Sequence, residues 1–207
     1  MDFYSMLLSK SLSGGGGGVD PHSIFKLYAS GQLTEITADM LQGITNIANY
    51  SFYQYETLVS IEIPDTVTKI GGYAFVSTNL KNIDIPASVT HIYGNAFAAC
   101  TSLASITIPN SVIYIGDNAF YGCANLENVT LPNSITNIGY NAFKDCLRLT
   151  NINIPNNIAI IDFSLFQGCY RLANITIPGS VTEIRSNAFF DCYRLKSVTI
   201  ENNTPPK

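Results

Sequence analysis

The stretch Ala119–Pro132 reads AFYGCANLENVTLP, and a version of it returns again and again along the sequence. Its cysteine recurs at Cys100, Cys123, Cys146, Cys169 and Cys192, always 23 residues apart. Phenylalanines keep the same step at Phe52, Phe75, Phe97, Phe120, Phe143, Phe166 and Phe189, with one interval of 22 between Phe75 and Phe97. Prolines at Pro64, Pro86, Pro109, Pro132, Pro155 and Pro178 follow it with the same slip. The lost residue falls in the VSTNL segment, where the cysteine is missing too. A deletion absorbed by a loop between fixed apolar columns is how a coiled repeat behaves.

Within one unit, Leu103, Ile106 and Ile108 mark a short strand, and the period-2 run Ile106-Thr107-Ile108 puts two isoleucines on one face. Pro109 ends it, having no N–H to give a neighbour. Val112 and Ile115 start a second extended piece, and Ala119 and Phe120 close the coil. No segment offers three turns of amphipathic helical spacing. One such unit cannot bury its own apolar face, but stacked units can. The spacing therefore predicts a mostly β solenoid of about seven coils. Neighbouring coils should stand about 4.8 Å apart, as paired strands do.

That separation bears on the cysteines. Stacked Cα atoms about 4.8 Å apart fall within the disulfide range, but parallel side chains keep the Cβ atoms beyond the usual 3.5–4.5 Å. Zinc sites favour close cysteine pairs or mixed Cys/His sets, and His22 and His91 are the sole histidines. The five thiols are expected to be reduced, buried fillers. Together with Phe97, Phe120, Phe143, Phe166 and Phe189 they form core columns, with no metal and no cofactor implied.

A net charge of −4 and 13% charged residues lack the basic patch of a nucleic-acid binder. No apolar run reaches the roughly 18 residues of a membrane span. The opening MDFYSMLLSKSLS makes a poor secretory signal. Catalysis needs a convergent nucleophile, base and orienter, and columns of repeated residues supply none. The reading is a non-enzymatic chain.

The unit LASITIPNSVIYIGDNAFYGC strongly resembles the BspA-like leucine-rich repeat, with its I-P-x-S-V-T-x-I-G-x-x-A-F-x-x-C signature. The match runs from about Leu33 to Ile200. The resemblance implies a solenoid with a curved parallel sheet and short second strands. It also implies a place on a bacterial surface or in a secreted protein, adhesion or recognition of a protein or glycan as the function, and no catalytic residues. Family members are also encoded near phage genes, so a structural or receptor-binding part of a phage particle is the alternative. Departures from the pattern cluster in the sixth unit, IAIIDFSLFQGC, where Leu165 replaces the column alanine and Asp162 the usual glycine. Overpacking there is expected to bulge the coil or turn Leu165 outward, which would make Leu165→Ala neutral or stabilising. The first unit lacks its proline and reads as a degenerate cap.

Outward strand positions give the candidate binding face: Ser105, Thr107, Asn128, Thr130, Asn151, Asn153, Asn174 and Thr176. A second candidate is the charged edge of Arg148, Arg171 and Arg194, with Asp145 and Asp191 placed to pair with two of them. Asparagines at Asn95, Asn118, Asn141 and Asn187, with Ser164 in the gap, read as turn residues. Residues 1–13 form a short apolar segment suited to a tether or a frayed terminus, and residues 14–23 a glycine-rich linker. The solenoid occupies 24–207, with a truncated C-terminal cap. Leu195–Ile200 is followed by no second half-unit, so contact with another copy of the chain is the expected cover for that end.

Overall fold

The computed structural model describes residues 29–201. The apolar segment, the whole glycine-rich linker and the residues after Glu201 lie outside the described residues. Each coil holds a first and a second strand. Coils 1 to 4 contain β1 (Glu35–Ile36) and β2 (Asn46–Ile47), β3 (Ser60–Ile61) and β4 (Lys69–Ile70), β5 (Asn82–Asp84) and β6 (His91–Ile92), and β7 (Ser105–Thr107) and β8 (Tyr114–Ile115). Coils 5 to 7 contain β9 (Asn128–Thr130) and β10 (Asn137–Ile138), β11 (Asn151–Ile152) and β12 (Ile160–Ile161), and β13 (Asn174–Ile177) and β14 (Glu183–Ile184). The last described strand is β15 (Ser197–Ile200). All pairings are parallel and in register at the repeat period, so Ile83 faces Ile106 and Ile106 faces Val129. The solenoid read from the periodicity is the fold. Coil 1 differs in carrying a 3-10 turn, Ala38–Leu41, where later coils have their proline.

The core is the set of inward columns. Leu, Ile, Val, Ala and Phe positions are almost fully enclosed from Leu33 to Ala188. The phenylalanine rings stack face to face with centroids 5.2–5.5 Å apart and planes within 16°, except at one junction. Offset stacking of this kind adds to the area the rings bury. Phe189 is only partly buried, because no later turn covers it among the described residues.

A third set of intercoil bonds runs along the phenylalanine turns. The N–H groups of Tyr50, Phe52 and Gln54 donate to the carbonyls of Gly72, Ala74 and Val76 in the next coil. The same trio recurs at every turn up to Ser164, Phe166 and Gly168. Two residues per turn with positive φ make this geometry. The first is Tyr50, Tyr73, Asn95, Asn118, Asn141, Ser164 or Asn187, and the second is Gln54, Ser77, Ala99, Gly122, Asp145, Gly168 or Asp191. Asparagine and glycine tolerate that region best, which explains the asparagine column.

Strand pairing breaks in two places. β3 does not pair with β5, although the second strands β4 and β6 beside them do. At coil 6 the break runs through both layers, since β10 does not pair with β12 and β11 does not pair with β13, and the chain crosses it in the loop 153–159. The N–H groups of Gly71, Tyr93, Gly116, Gly139 and Arg185 all reach the second strand of the preceding coil, but Asp162 makes no such bond. The Phe143–Phe166 rings stand 6.0 Å apart, the widest spacing in the column. The turn ladder still spans the coil 5–6 junction, through Asn141, Phe143 and Asp145.

The sixth unit supplies the cause in several substitutions together. A Cβ on Gly116 would lie 2.5 Å from the Gly94 nitrogen, so a side chain at this position needs a wider step. Tyr93 shows that a side chain there does not by itself break the ladder. In coil 6, Asp162 is combined with Leu165 in place of alanine and with Asn157 in place of a serine. That serine elsewhere donates one coil back, as Ser134 does to Val112 at 2.7 Å and Ser180 to Ile158 at 2.8 Å. Asn157, one atom longer, reaches the Asn133 carbonyl instead, at 2.6 Å. Leu165 does not turn outward. It is 1% exposed, and the coil moves to hold it.

Candidate functional site

Burial alternates along every first strand of coils 3 to 7, so that Ser105, Thr107, Asn128, Thr130, Asn151, Asn153, Asn174 and Thr176 are all exposed between buried isoleucines, valines and one leucine. Those on β7, β9 and β11 share one face of a parallel, in-register sheet, and Asn174 and Thr176 continue the alternation on β13 beyond the break. Their side chains hydrogen-bond to one another and to the main chain. Asn151 donates to the Asn128 side-chain oxygen Oδ1 at 3.0 Å, and the Thr150 hydroxyl to the same atom at 3.3 Å. Asn153 turns back to the preceding coil, where its amide accepts from the Leu131 N–H at 2.8 Å and donates to the Leu131 carbonyl at 2.7 Å. A side-chain amide thus stands in for one rung of the strand ladder.

The fault opens this face into a groove of about 420 Å³ between β11 and β13. Ile152, Ile154 and Ile175 form its floor, and Asn133, Asn153, Asn156, Asn174, Thr176 and Glu201 supply polar groups around it. That volume lies in the ordinary range for small-ligand sites. The sequence singled out Asn153, Asn174 and Thr176 but not the groove, which exists only because the strands part there.

The charged edge is looser than expected. Arg148 approaches Glu127 of the preceding coil at 3.9 Å, not Asp145, and both side chains are about half exposed. Asp191 engages Tyr193 instead, and this hydrogen bond raises the tyrosine's pKa. Arg171 and Arg194 are exposed and have no ion pair among the described residues. The three arginines therefore do not converge on one point. The tightest cation is one the sequence reading passed over. Arg185 bonds Asp162 and Glu183, each at 3.0 Å, and lies 5.2 Å from the centre of the Phe163 ring.

All five cysteines are buried and free. They do more than fill space. Each thiol donates to the carbonyl of the phenylalanine one coil back, from Cys100 to Phe75 at 2.9 Å through Cys192 to Phe166 at 3.1 Å. Burial pushes their pKa values up, to about 11 for Cys100 and Cys192. Thr78 occupies the cysteine position of coil 2, so that column is substituted rather than lost. Its hydroxyl donates within its own turn instead, to the Phe75 carbonyl at 3.0 Å, and lies 3.3 Å from the Cys100 sulfur.

No group of three or more His, Cys, Asp or Glu side chains placed to hold a metal occurs among the described residues. No helix there is long and apolar enough to cross a membrane. Val198 and Ile200 on β15 are 47% and 40% exposed.

No curated protein matches the sequence. Among solved structures, a leucine-rich repeat protein of T. pallidum is 31% identical with a TM-score of 0.72, over 79% of this chain and 78% of that one. One from Bacteroides ovatus is 32% identical with a TM-score of 0.65. The match covers 81% of this chain but only 49% of the B. ovatus protein, so this chain spans about half that length. The family model for the BspA type leucine-rich repeat region matches in six copies, over residues 23–117 and 90–205. With these matches and the repeat geometry above, the chain belongs to the BspA-type leucine-rich repeat family.

Proposed function

We propose that the chain is a recognition or adhesion module of a bacterial surface or secreted protein, working through the exposed face of its first-strand sheet. One observation carries this reading. Coils 4 to 7 present Ser, Thr or Asn at every outward first-strand position, and that face opens into a polar groove. Such a surface binds by hydrogen bonding and shape, and solenoids commonly bind along an extended face of this kind. The family's placement on bacterial surfaces agrees with it.

A screen of the full chain against immobilised proteins and glycans tests the reading, repeated with Thr107→Arg and Thr130→Arg. Both positions point away from the core, so the variants should fold as the parent does. Ligands retained by the parent and lost by both variants would support the face. Ligands bound equally by all three, or lost only when the Arg148 edge is neutralised, would move recognition elsewhere.

A further inference from the structure

We propose that the slot between β11 and β13 binds the main chain of an extended polypeptide and receives a basic side chain of that polypeptide at Glu201. This rests on the reading of the sheet face as the recognition surface and specifies the ligand of that face. The first ground is an opened junction: β3 and β5 are also unpaired, but a flanking bond from Lys81 to Val59 at 3.4 Å still ties that junction. At the other first-strand junctions a flanking N–H closes the edge, as from Thr150 to Glu127 at 2.9 Å or from Lys196 to Ala173 at 2.8 Å. The corresponding bond from Ala173 to Thr150 is absent among the described residues. Main-chain donors and acceptors are paired almost everywhere in folded proteins, so an open junction is where an outside partner gains most.

The second ground is the chemistry of the lining. Asparagines here already bind peptide groups: Asn153 takes both the N–H and the carbonyl of Leu131, and Asn133 takes the N–H of Asn156 at 2.9 Å. Asn174 and Thr176 stand one coil further along, exposed, and no hydrogen bond engages either side chain among the described residues. They offer a visiting peptide the bonds that the fault denies to the next coil. The third ground is charge. Among the described residues no lysine or arginine lines the groove, and Glu201 is its single ionisable group. Outward strand positions elsewhere on the face add Glu35, Glu62 and Asp84 and no cation. An anionic ligand is disfavoured, and a basic side chain is matched.

The geometry also excludes strand insertion. Cα atoms of β11 and β13 still approach within 8 Å, whereas an added strand needs about 9–10 Å between its two neighbours. The peptide lies over the slot.

A library of random dodecapeptides, selected on the full chain and then measured as soluble labelled peptides, tests this. Enriched peptides should share a lysine or arginine. Glu201→Gln should weaken them about tenfold, as losing a charge-assisted hydrogen bond does, and Asn174→Ala about fivefold. Thermal melting followed by circular dichroism checks that both variants fold. Failure to enrich peptides, enrichment without a basic residue, or affinities unchanged in both variants overturns the proposal. A neutral glycan that binds the parent and not Asn174→Ala, with no peptide enriched, reassigns the slot to sugars. Thr107→Arg separates the two readings. If it alone abolishes peptide binding, the face stands and the slot falls. If no variant matters, both fall.

Discussion

Leu165→Ala tests whether coil 6 was built around its leucine or merely tolerates it. The substitution removes three carbons from a side chain that is 1% exposed. At roughly 0.8 kcal/mol per buried methylene, the transfer loss is about 2.4 kcal/mol. A residual cavity adds to this, about 24 cal/mol per Å³, unless the neighbours close in. Closing would mean bringing Phe166 from 6.0 Å to the 5.2–5.5 Å found at the other junctions. Asp162 and Asn157 still hold the coil away in the single variant, so only part of the gap can shut. A loss of about 3 kcal/mol is therefore expected in urea unfolding. Adding Asp162→Gly removes one of those spacers, and the pair should couple favourably by about 1 kcal/mol. Hydrogen exchange gives a second readout. The amide at 162 should become protected in the double variant, when it regains the Ile138 carbonyl. A neutral or stabilising Leu165→Ala would refute the reasoning and restore the overpacking view.

Thiol reagents should find none of the five cysteines reactive in the folded chain and all five after denaturation. Because burial holds Cys100 and Cys192 at about 11, above the ordinary 9.0, the unfolded chain loses these protons first. Their contribution to stability is full below pH 9 and should fall away as pH rises toward 11, which unfolding at stepped pH would show. Ala99 has φ +56 where Gly122 and Gly168 stand in other coils, so Ala99→Gly should stabilise by about 1 kcal/mol in thermal or urea unfolding. Arg148→Ala should change stability by less than about 1 kcal/mol in the same assay, its ion pair being long and half exposed. Light scattering should show a dimer or larger species through the open edge of β15, weakened by Val198→Asp; a monomer at tens of micromolar would contradict it.

What the sequence made legible was whatever depends on one column at a time. The phenylalanine, isoleucine and cysteine periods fix which side chains point inward, because stacking identical units leaves no other register. The asparagine column was readable for the same reason, since positive φ leaves its mark on residue type. Relations between columns were not readable. The turn ladder is made of main-chain groups that carry no side-chain signature, and the thiol donors look like fillers until the acceptor carbonyl is placed. Coil 6 lies between these cases. Leu165 and Asp162 flagged it, but the response to crowding could have been a rotated side chain or a shifted coil. Asn157, which helps decide between them, looks innocuous in an asparagine-rich sequence. The groove followed from that shift, so Asn153, Asn174 and Thr176 were named from the sequence as binding residues without their meeting place, and the rest of its lining was not.

The turn ladder has a further consequence. Its bonds all run the same way, from one coil to the next, so the peptide dipoles along the phenylalanine turns add rather than cancel. In an α-helix this alignment gives the equivalent of about half a charge at each end. The column of turns therefore has an electric sense, positive at the coil 7 turn and negative at the coil 1 turn, opposite to that of flanking strand bonds such as Gly71 to Ile47. The N–H groups of Asn187 and Phe189 face outward at the positive end, where acidic neighbours are favoured, and Asp191 already stands there. At the other end, basic neighbours are favoured. Whatever packs against either end of this stack meets an opposite electrostatic preference from its two faces.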